Sequence, residues 1–176
     1  MKKILNIFII IFLCFFSGAC GYTTKSALPP NLRTIYVESF ANKINYTTES
    51  QRNIYYPLLE VKVTNKVIDR FLFDGNLRIA DEDSADLILQ GELLGYDRYV
   101  LRYTDDDEVE EYRILVTVRL VLIDPQVEEP LWVENRFGGE AEYFVTGSEA
   151  ITESAAVDNA VDDLAKRIVE RTIENW

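Results

Sequence analysis

The sequence predicts an α/β (α+β) two-layer sandwich, in which two helices pack on one face of a mixed, mainly antiparallel sheet of about four strands. Two segments carry helical stripes of apolar residues, one in the first half of the chain and one at its C-terminal end. Between them lie three long runs of strand character, and the turns that join them are too short for a parallel crossover. Both helical stripes need a sheet face to pack against, which gives two layers.

The first half of this domain predicts one strand followed by one helix. Alternating apolar residues predict a strand over Thr34–Phe40, and the polar segment 41–56 is predicted to be a loop. Pro57 suits the first turn of a helix, and Gly75 suits the left-handed position that ends one. The helix between them, Leu58–Phe73, has an apolar stripe at Leu59, Val63, Val67 and Phe71, with Ile68 and Leu72 beside it.

A meander is predicted to follow this helix. After a short strand at Leu77–Ala80, the three long strands are predicted over Leu87–Tyr103, Tyr112–Ile123 and Leu131–Val145. The acidic segment Thr104–Glu111 is predicted to form the tip of the first hairpin.

The alternation within these strands predicts which side chains face the helices. Leu87, Leu89, Leu93, Tyr99 and Leu101 share one parity, with Gly91 and Gly95 indicating a bend or bulge partway along. The opposite sheet face is predicted to be exposed or covered by a partner, and to carry Arg98, Arg102, Arg113, Arg119, Arg136, Glu92 and Glu134 among aromatic residues.

The last helix is predicted to begin near Thr146 and to end at about Glu174. Thr146 and Glu149 have the spacing of a capping box, and Ser148 is an alternative cap. The apolar face of this helix comprises Val157, Ala160, Val161, Leu164, Ala165, Ile168 and Val169.

The N-terminus has the features of a secretory signal peptide. Lys2 and Lys3 precede an apolar run, which ends in the small residues Gly18 and Ala19 directly before Cys20. This ending resembles the bacterial lipobox, which implies cleavage of residues 1–19 and attachment of a diacylglycerol and an N-acyl chain to Cys20. The alternative is an ordinary secreted protein in which Cys20 is a free thiol.

These features divide the chain into a cleaved lipoprotein signal peptide at 1–19, a lipidated N-terminus and linker at 20–33, and a single domain at 34–176. Removal of Lys2 and Lys3 with the signal makes the net charge of −12 more negative, at −14. A surface this acidic would be repelled by nucleic acid.

The chain has no histidine, and Cys20 is the only cysteine outside the signal. Zinc, iron–sulfur and cysteine-nucleophile chemistry are therefore not expected, and no residue pattern indicates a catalytic centre.

Two acidic clusters could supply the oxygen ligands that calcium prefers. The first is the run Asp105–Glu111, and the second comprises Asp81, Asp83 and Asp86. Neither has the spacing of an EF-hand loop, so a solvated hairpin tip and a turn are the favoured interpretations, and no metal site is predicted.

Arginines and aromatic residues of the strands give the remaining candidates for binding. Arg98, Arg102, Arg113 and Arg119 could contact phosphate through paired hydrogen bonds, although cross-strand ion pairs with Glu92, Glu110 or Glu134 are favoured. Seven aromatic residues could form a contact surface, about half of which must instead lie in the core: Tyr96, Tyr99, Tyr103, Trp132, Phe137, Tyr143 and Phe144.

Several segments in order resemble the LptE family of lipopolysaccharide (LPS)-assembly lipoproteins. They comprise Cys20–Tyr22, Ile35–Asn42, Phe73–Arg78, Ala85–Leu93, Glu111–Arg113, Leu131–Trp132 and Leu164–Val169. The resemblance implies a two-layer α/β sandwich, without enzymatic activity, that sits as a plug inside the outer-membrane barrel LptD. It further implies help in assembling that barrel and in delivering LPS to the outer leaflet.

The same resemblance implies a lipid-anchored protein on the periplasmic side of the outer membrane. Some members of the family bind LPS through basic residues, for which the local candidates are Arg98, Arg102, Arg113 and Arg119. The alternatives are an envelope lipoprotein of another secretion or assembly machine, and a periplasmic module that binds a soluble ligand.

Replacement of the lipid-bearing cysteine tests the predicted anchor. Cys20→Ala removes the thiol that would be acylated, so the chain should move from the membrane fraction to the soluble periplasm with its fold intact. Fractionation of cells expressing the wild-type and variant chains measures this. A Cys20→Ala chain that stays with the membranes would contradict the lipidated anchor.

Overall fold

One sheet and two helices form two layers in the computed structural model, which describes residues 28–46, 55–127 and 129–174. The strands are β1 (Thr34–Val37), β2 (Ala41–Asn42), β3 (Arg78–Ile79), β4 (Leu87–Tyr103), β5 (Val109–Ile123) and β6 (Trp132–Phe144), and the helices are α1 (Leu59–Asp74) and α2 (Glu153–Glu174). The predicted fold class is confirmed. The signal peptide, Cys20 and most of the predicted linker lie outside the described residues.

The sheet is mixed, with the order β3-β1-β4-β5-β6 and with β2 also paired to β4. Strand β1 runs parallel to β3 and β4, whereas β4, β5 and β6 form the predicted antiparallel meander. The sheet has six strands rather than about four, because the short strand β3 joins it and β2 forms in the segment that was predicted to be a loop. The predicted first strand ends at Val37 rather than at Phe40. Its chain leaves the ladder after Val37, where the ring of Phe40 occupies the space that a side chain at Gly91 would fill.

The core lies between the sheet and the two helices. Helix α1 buries the predicted stripe of Leu59, Val63, Val67 and Phe71, and α2 buries every residue of its predicted apolar face. The sheet contributes Leu87, Leu89, Leu93, Ile114, Val116, Val118, Leu120 and Leu122, all fully buried. Each such side chain contributes about 1.5–3 kcal/mol through its removal from water.

A β-bulge in β4 changes which residues of that strand face the helices. The register against β5 shifts between Leu93 and Gly95, so Tyr96 follows Leu93 on the core side, opposite Val116. The bend expected at the glycines is therefore present. The expectation that Tyr99 shares a face with Leu93 was wrong, because the extra residue reverses the parity of the strand as far as Val100. A second register shift, at Leu101, reverses it again before Arg102.

The ends of the helices differ from prediction at their N-terminal sides. Helix α1 is preceded by Leu58 in a left-handed conformation (φ 56°), so Pro57 lies outside its first turn. Gly75 ends α1 as expected, with φ 76° and its N–H bonded to the Phe71 carbonyl. Helix α2 begins at Glu153 rather than near Thr146, because Thr152 caps it by accepting a hydrogen bond from the N–H of Ala155.

Helix α2 also covers part of the outer edge of β6, the last strand of the sheet. Asp163 accepts a hydrogen bond from the N–H of Glu140 (3.1 Å), and Arg167 donates to the carbonyl of Gly138. Farther along, the N–H of Ile151 bonds to the carbonyl of Phe144 (3.1 Å). In the part of the chain described above, neither helix is long and apolar enough to cross a membrane.

The close approach of α2 to β6 gives a prediction about two adjacent glycines. A Cβ added at Gly139 would overlap the backbone of Leu164, whereas one at Gly138 meets only the flexible end of Leu115, at 3.1 Å. Gly139→Ala should therefore lower the free energy of unfolding by about 1–3 kcal/mol, the usual cost of overpacking. Gly138→Ala, which changes the unfolded chain in the same way, should cost clearly less. Urea unfolding followed by tryptophan fluorescence measures both, and equal losses would contradict the packing described.

Candidate functional site

The four candidate arginines lie on both faces of the sheet rather than on one. Arg102 and Arg113 share the face opposite the helices, here called the open face, with Arg119. Arg98 is opposite the core residue Ile114 and lies on the helix side, because the bulge in β4 reverses its direction. Glu134 was also predicted to lie on the open face, but it pairs with Arg171 of α2 at 2.9 Å.

Arg98 belongs to a polar cluster that holds the first turn of α2 on the sheet. The carboxylate of Glu153 accepts hydrogen bonds from Arg98 and from the hydroxyl of Tyr96 (2.7 Å). The Arg98 guanidinium lies 4.7 Å from the ring centre of Tyr112, which stacks on Tyr143. Burial, and then the hydrogen bond to Glu153, raise the pKa of the Tyr96 hydroxyl well above its ordinary value. Tyr96 therefore remains a protonated donor, and this cluster supports the fold rather than an exposed ligand.

The other three arginines form ion pairs across the strands of the open face. Arg119 lies 3.5 Å from Glu92, and Arg102 lies 3.3 Å from Glu111. Arg102 also approaches Glu110 at 4.0 Å, while Arg113 bonds to Glu142 and lies 3.8 Å from Glu140. These are the cross-strand pairs that alternation favoured, with Glu92 and Glu110 among the expected partners. The hydrogen bond to Glu142 raises the pKa of Arg113, which keeps its positive charge.

Between these ion pairs, the open face has a shallow trough over two glycines, which the side chains of Leu115 and Asp97 partly fill. Gly95, Thr117 and Gly138 are aligned across β4, β5 and β6, and Thr117 is only 5% exposed. The row of Asp97, Leu115 and Glu140 lies between the trough and the Arg113 pairs, and the Arg119–Glu92 pair borders the other side. A flat surface with opposite charges in rows is suited to docking against a polar surface.

A small pocket lies beside Arg119, with a volume of about 150 Å³. It is lined by polar groups that include Glu38, Gln90 and Glu92. Sites for small organic ligands usually occupy 300–1,000 Å³, so this pocket is too small for a large amphiphile.

The acidic clusters have structural explanations. The hairpin tip is closed by Thr104, whose N–H bonds to the Glu108 carbonyl at 2.7 Å, and Asp105, Asp106 and Asp107 are exposed around it. Asp86 accepts hydrogen bonds from the N–H of Arg33 and the N–H and hydroxyl of Thr34, and thereby fastens β1 to the start of β4. These bonds, the one from Arg33 first, lower the pKa of Asp86. Among the residues with described positions, no group of three or more histidine, cysteine, aspartate or glutamate side chains could hold a metal ion.

The seven candidate aromatic residues divide between core and surface, as alternation predicted. Tyr96 and Tyr143 are buried, and Trp132 and Phe137 pack against the core beneath Arg171 and Arg167 of α2. Tyr99 and Phe144 are half-buried, and Tyr103 is 58% exposed near the hairpin tip.

Sequence reasoning missed the outer surface of α1. Leu58, Val61, Leu72 and Phe73 are exposed there, although all four are large and apolar. Leu72 was assigned to the margin of the buried stripe together with Ile68, and only Ile68 packs against the core.

The comparison with protein families shows which family this chain belongs to. The model of the family LptE, described as lipopolysaccharide-assembly, matches residues 32–172. The chain belongs to the LptE family. The resemblance seen in the sequence is thereby confirmed, and the chain is assigned to a family of LPS-assembly lipoproteins. No curated protein sequence matches the chain significantly.

Solved structures support the LptE fold at low sequence identity. A crystal structure of a Xanthomonas campestris protein is 11% identical, with a TM-score of 0.55 over 84% of this chain and 88% of that one. An uncharacterized lipoprotein B from Nitrosomonas europaea is 11% identical, with a TM-score of 0.52 over 83% and 84%. A hypothetical protein from Chlamydia trachomatis is 10% identical, with a TM-score of 0.51 over 80% and 95%. At these identities the likeness shows the fold alone.

Two arginine substitutions separate the structural cluster from the open face. Arg98→Ala removes a hydrogen bond to Glu153 and a contact with Tyr112, so the free energy of unfolding should fall by about 1–2 kcal/mol. Arg113→Ala removes an exposed pair and should leave stability close to wild type. Chemical unfolding of the two variants measures the difference. A stable Arg98→Ala chain would show that the cluster does not hold α2.

Proposed function

We propose that this chain is a non-enzymatic outer-membrane lipoprotein that plugs an LptD-type barrel, helps to assemble it, and assists delivery of LPS to the outer leaflet. The match to the LptE family over residues 32–172 carries this proposal. Members of that family associate with LptD, so a barrel of this type is the proposed partner. Cys20, with a diacylglycerol and an N-acyl chain, is the proposed anchor on the periplasmic side of the outer membrane.

The open face is suited to such a partner. The interior of an outer-membrane barrel is polar, so a plug within it needs surfaces that can form hydrogen bonds and ion pairs. The rows headed by Arg113 and Arg119, with the trough at Thr117 between them, supply such a surface. The opposite face of the sheet is buried beneath α1 and α2, which leaves the open face available.

The length of chain between the proposed anchor and the domain is also compatible with a barrel in the same membrane. Thirteen residues lie between Cys20 and Thr34, where β1 begins. A chain of this length spans at most roughly 50 Å when fully extended. The domain could therefore reach into a barrel embedded in the same membrane without leaving its anchor.

Direct contact with LPS is a further part of the proposal and concerns Arg102, Arg113 and Arg119. Arginine binds phosphate through paired hydrogen bonds, and these three side chains are exposed enough to exchange a carboxylate for a phosphate. Arg98 is proposed only as a support for α2, because its guanidinium is held by Glu153.

Co-purification tests the proposed partner and its docking face together. The tagged full-length chain, extracted from cell envelopes in detergent, should bring down a large protein whose electrophoretic mobility changes on heating, as expected for a stable barrel. Thr117→Trp places a large ring in the trough of the open face and should abolish this co-purification. Asn159→Trp places the same ring on the exposed surface of α2 and should not.

The two results answer different questions. If the wild-type chain brings down no barrel, the proposed function is wrong. If the wild-type and Thr117→Trp chains bring down the same amount, the function stands but the open face is not the docking surface. Circular dichroism of both tryptophan variants checks that the fold has not changed.

A further inference from the structure

Ion pairs connect α1 and α2 in a regular ladder. Lys62 of α1 pairs with Asp158 of α2, and one turn later Lys66 pairs with Asp162 at 2.9 Å. Both pairs join residues that are 96 positions apart in the chain, so the two helices run in the same direction with a constant offset. Residues four apart lie on one side of a helix, so a third rung is expected one turn farther on.

The third rung breaks the pattern, because it brings two cations together. The same offset places Lys166 of α2 opposite Arg70 of α1, and both residues line one pocket between the helices. An acidic residue at either position would have continued the ladder, whereas two like charges side by side repel each other. A chain with a net charge of −12 therefore places two positive charges together next to two rungs of opposite charges.

The described residues leave both cations poorly neutralised. Arg70 forms no hydrogen bond or ion pair with any of them, and its Nε–H is buried without an acceptor. Its guanidinium lies 5.4 Å from the ring centre of Phe73. Lys166 reaches only Glu170 of its own helix, at 3.8 Å, and both side chains of that pair are about half exposed. Exposed pairs contribute little, and a buried N–H without an acceptor calls for a partner outside the chain.

The pocket at this rung has room for a small organic anion. Its volume is about 560 Å³, within the range of roughly 300–1,000 Å³ that is usual for ligand sites. Phe73 lines it beside Arg70 and is 82% exposed. The pocket therefore combines two cations with an apolar wall.

Three carboxylates also line the pocket, but two of them are engaged. Asp162 pairs with Lys66, and Asp163 accepts a hydrogen bond from the N–H of Glu140 at 3.1 Å. Asp69 forms no ion pair with a described residue. When the engaged groups are set aside, the two cations of the third rung face one carboxylate, which leaves positive charge for a ligand.

We propose that the pocket between Arg70 and Lys166 binds an oxyanion of the phosphate class, carried by a small molecule or by a lipid headgroup. Arginine binds phosphate through its planar fork of N–H groups, and lysine adds a mobile point charge. A phosphate monoester carries a charge of roughly −1.5 to −2 at pH 7, which balances two cations better than a single carboxylate does. The exposed ring of Phe73 is available to the organic part of such a ligand.

This pocket is separate from the arginines of the open face. Arg70 and Lys166 lie in the helical layer, whereas Arg113 and Arg119 lie on the other side of the sheet. The inference therefore rests neither on docking of the open face nor on a barrel partner. Phosphate binding can fail while co-purification with a barrel succeeds, and the reverse.

Thermal unfolding of the full-length chain in detergent, with inorganic phosphate as the probe, tests the site. A ligand that binds only the folded chain raises the unfolding midpoint by roughly 3–6 °C at ten times its dissociation constant. Arg70→Gln and Lys166→Gln should each remove this shift, whereas Lys62→Gln, on a rung of opposite charges, should keep it. Phosphate also stabilises folded proteins in general, because it is excluded from their surface, so the difference between variants is the measurement.

Lys166→Glu gives a sharper test, because it builds the missing carboxylate into the chain. The third rung then has opposite charges like the other two, so without phosphate this variant should unfold at a higher temperature than Lys166→Gln. Added phosphate should shift its midpoint no more than it shifts that of Arg70→Gln. If Lys166→Glu is no more stable than Lys166→Gln, the two side chains do not meet across the groove and the inference is overturned.

Phosphatidic acid in the detergent micelles distinguishes the two sources of phosphate, with phosphatidylcholine as its control. A shift that depends on Arg70, and that needs less phosphatidic acid than inorganic phosphate, identifies a lipid headgroup. A shift with inorganic phosphate that phosphatidic acid does not reproduce identifies a soluble ligand. The site is overturned if the wild-type chain and the three glutamine variants respond equally to both probes.

Discussion

The contact between Leu164 and the backbone of Gly139 determines much of this structure. Because no side chain separates them, α2 lies directly on β6 and extends over the last strand of the sheet. This position brings Glu153 to Arg98 and Tyr96 at one end of α2, and Arg171 to Glu134 near the other. The remaining space over the sheet is filled by α1, which lies beside α2. Both helices therefore occupy one face, and the other face is left to form external contacts.

The sequence was sufficient to predict the two layers, but not to predict the face on which every strand residue lies. The 3.6-residue stripes of both helices and the alternation of β5 are strong local signals, and the structure contains all three elements. The bulge after Leu93 could be placed only approximately from Gly95, and its effect on later residues depends on pairing with β5. For this reason Tyr99 was assigned to the wrong face. The start of α2 was misplaced because Thr146 and Thr152 both have the chemistry of a cap, and only the packed structure selects Thr152.

The candidate site shows the same division between local and tertiary information. Arg113 and Arg119 could be assigned to the open face because side chains of β5 alternate between the two faces without interruption from one of these residues to the other. Arg98 could not be assigned, because its direction depends on the bulge, and its partner Glu153 is 55 residues away in the chain. The exposed apolar residues of α1, Val61, Leu72 and Phe73, were overlooked because the same helix also carries a strong buried stripe. A single stripe is the usual pattern of a surface helix, so Leu72 was treated as the margin of the buried one.

The covering of β6 by α2 affects how neighbouring molecules can meet. An uncovered edge strand offers backbone groups to any other extended chain, and proteins at high density can then join sheet to sheet. Here the carbonyls of Gly138 and Phe144 and the N–H of Glu140 are already bonded within the chain. These backbone groups are therefore not available to an extended chain from a neighbouring molecule. Many copies crowded on one surface could approach each other closely at this edge without being added to a common sheet.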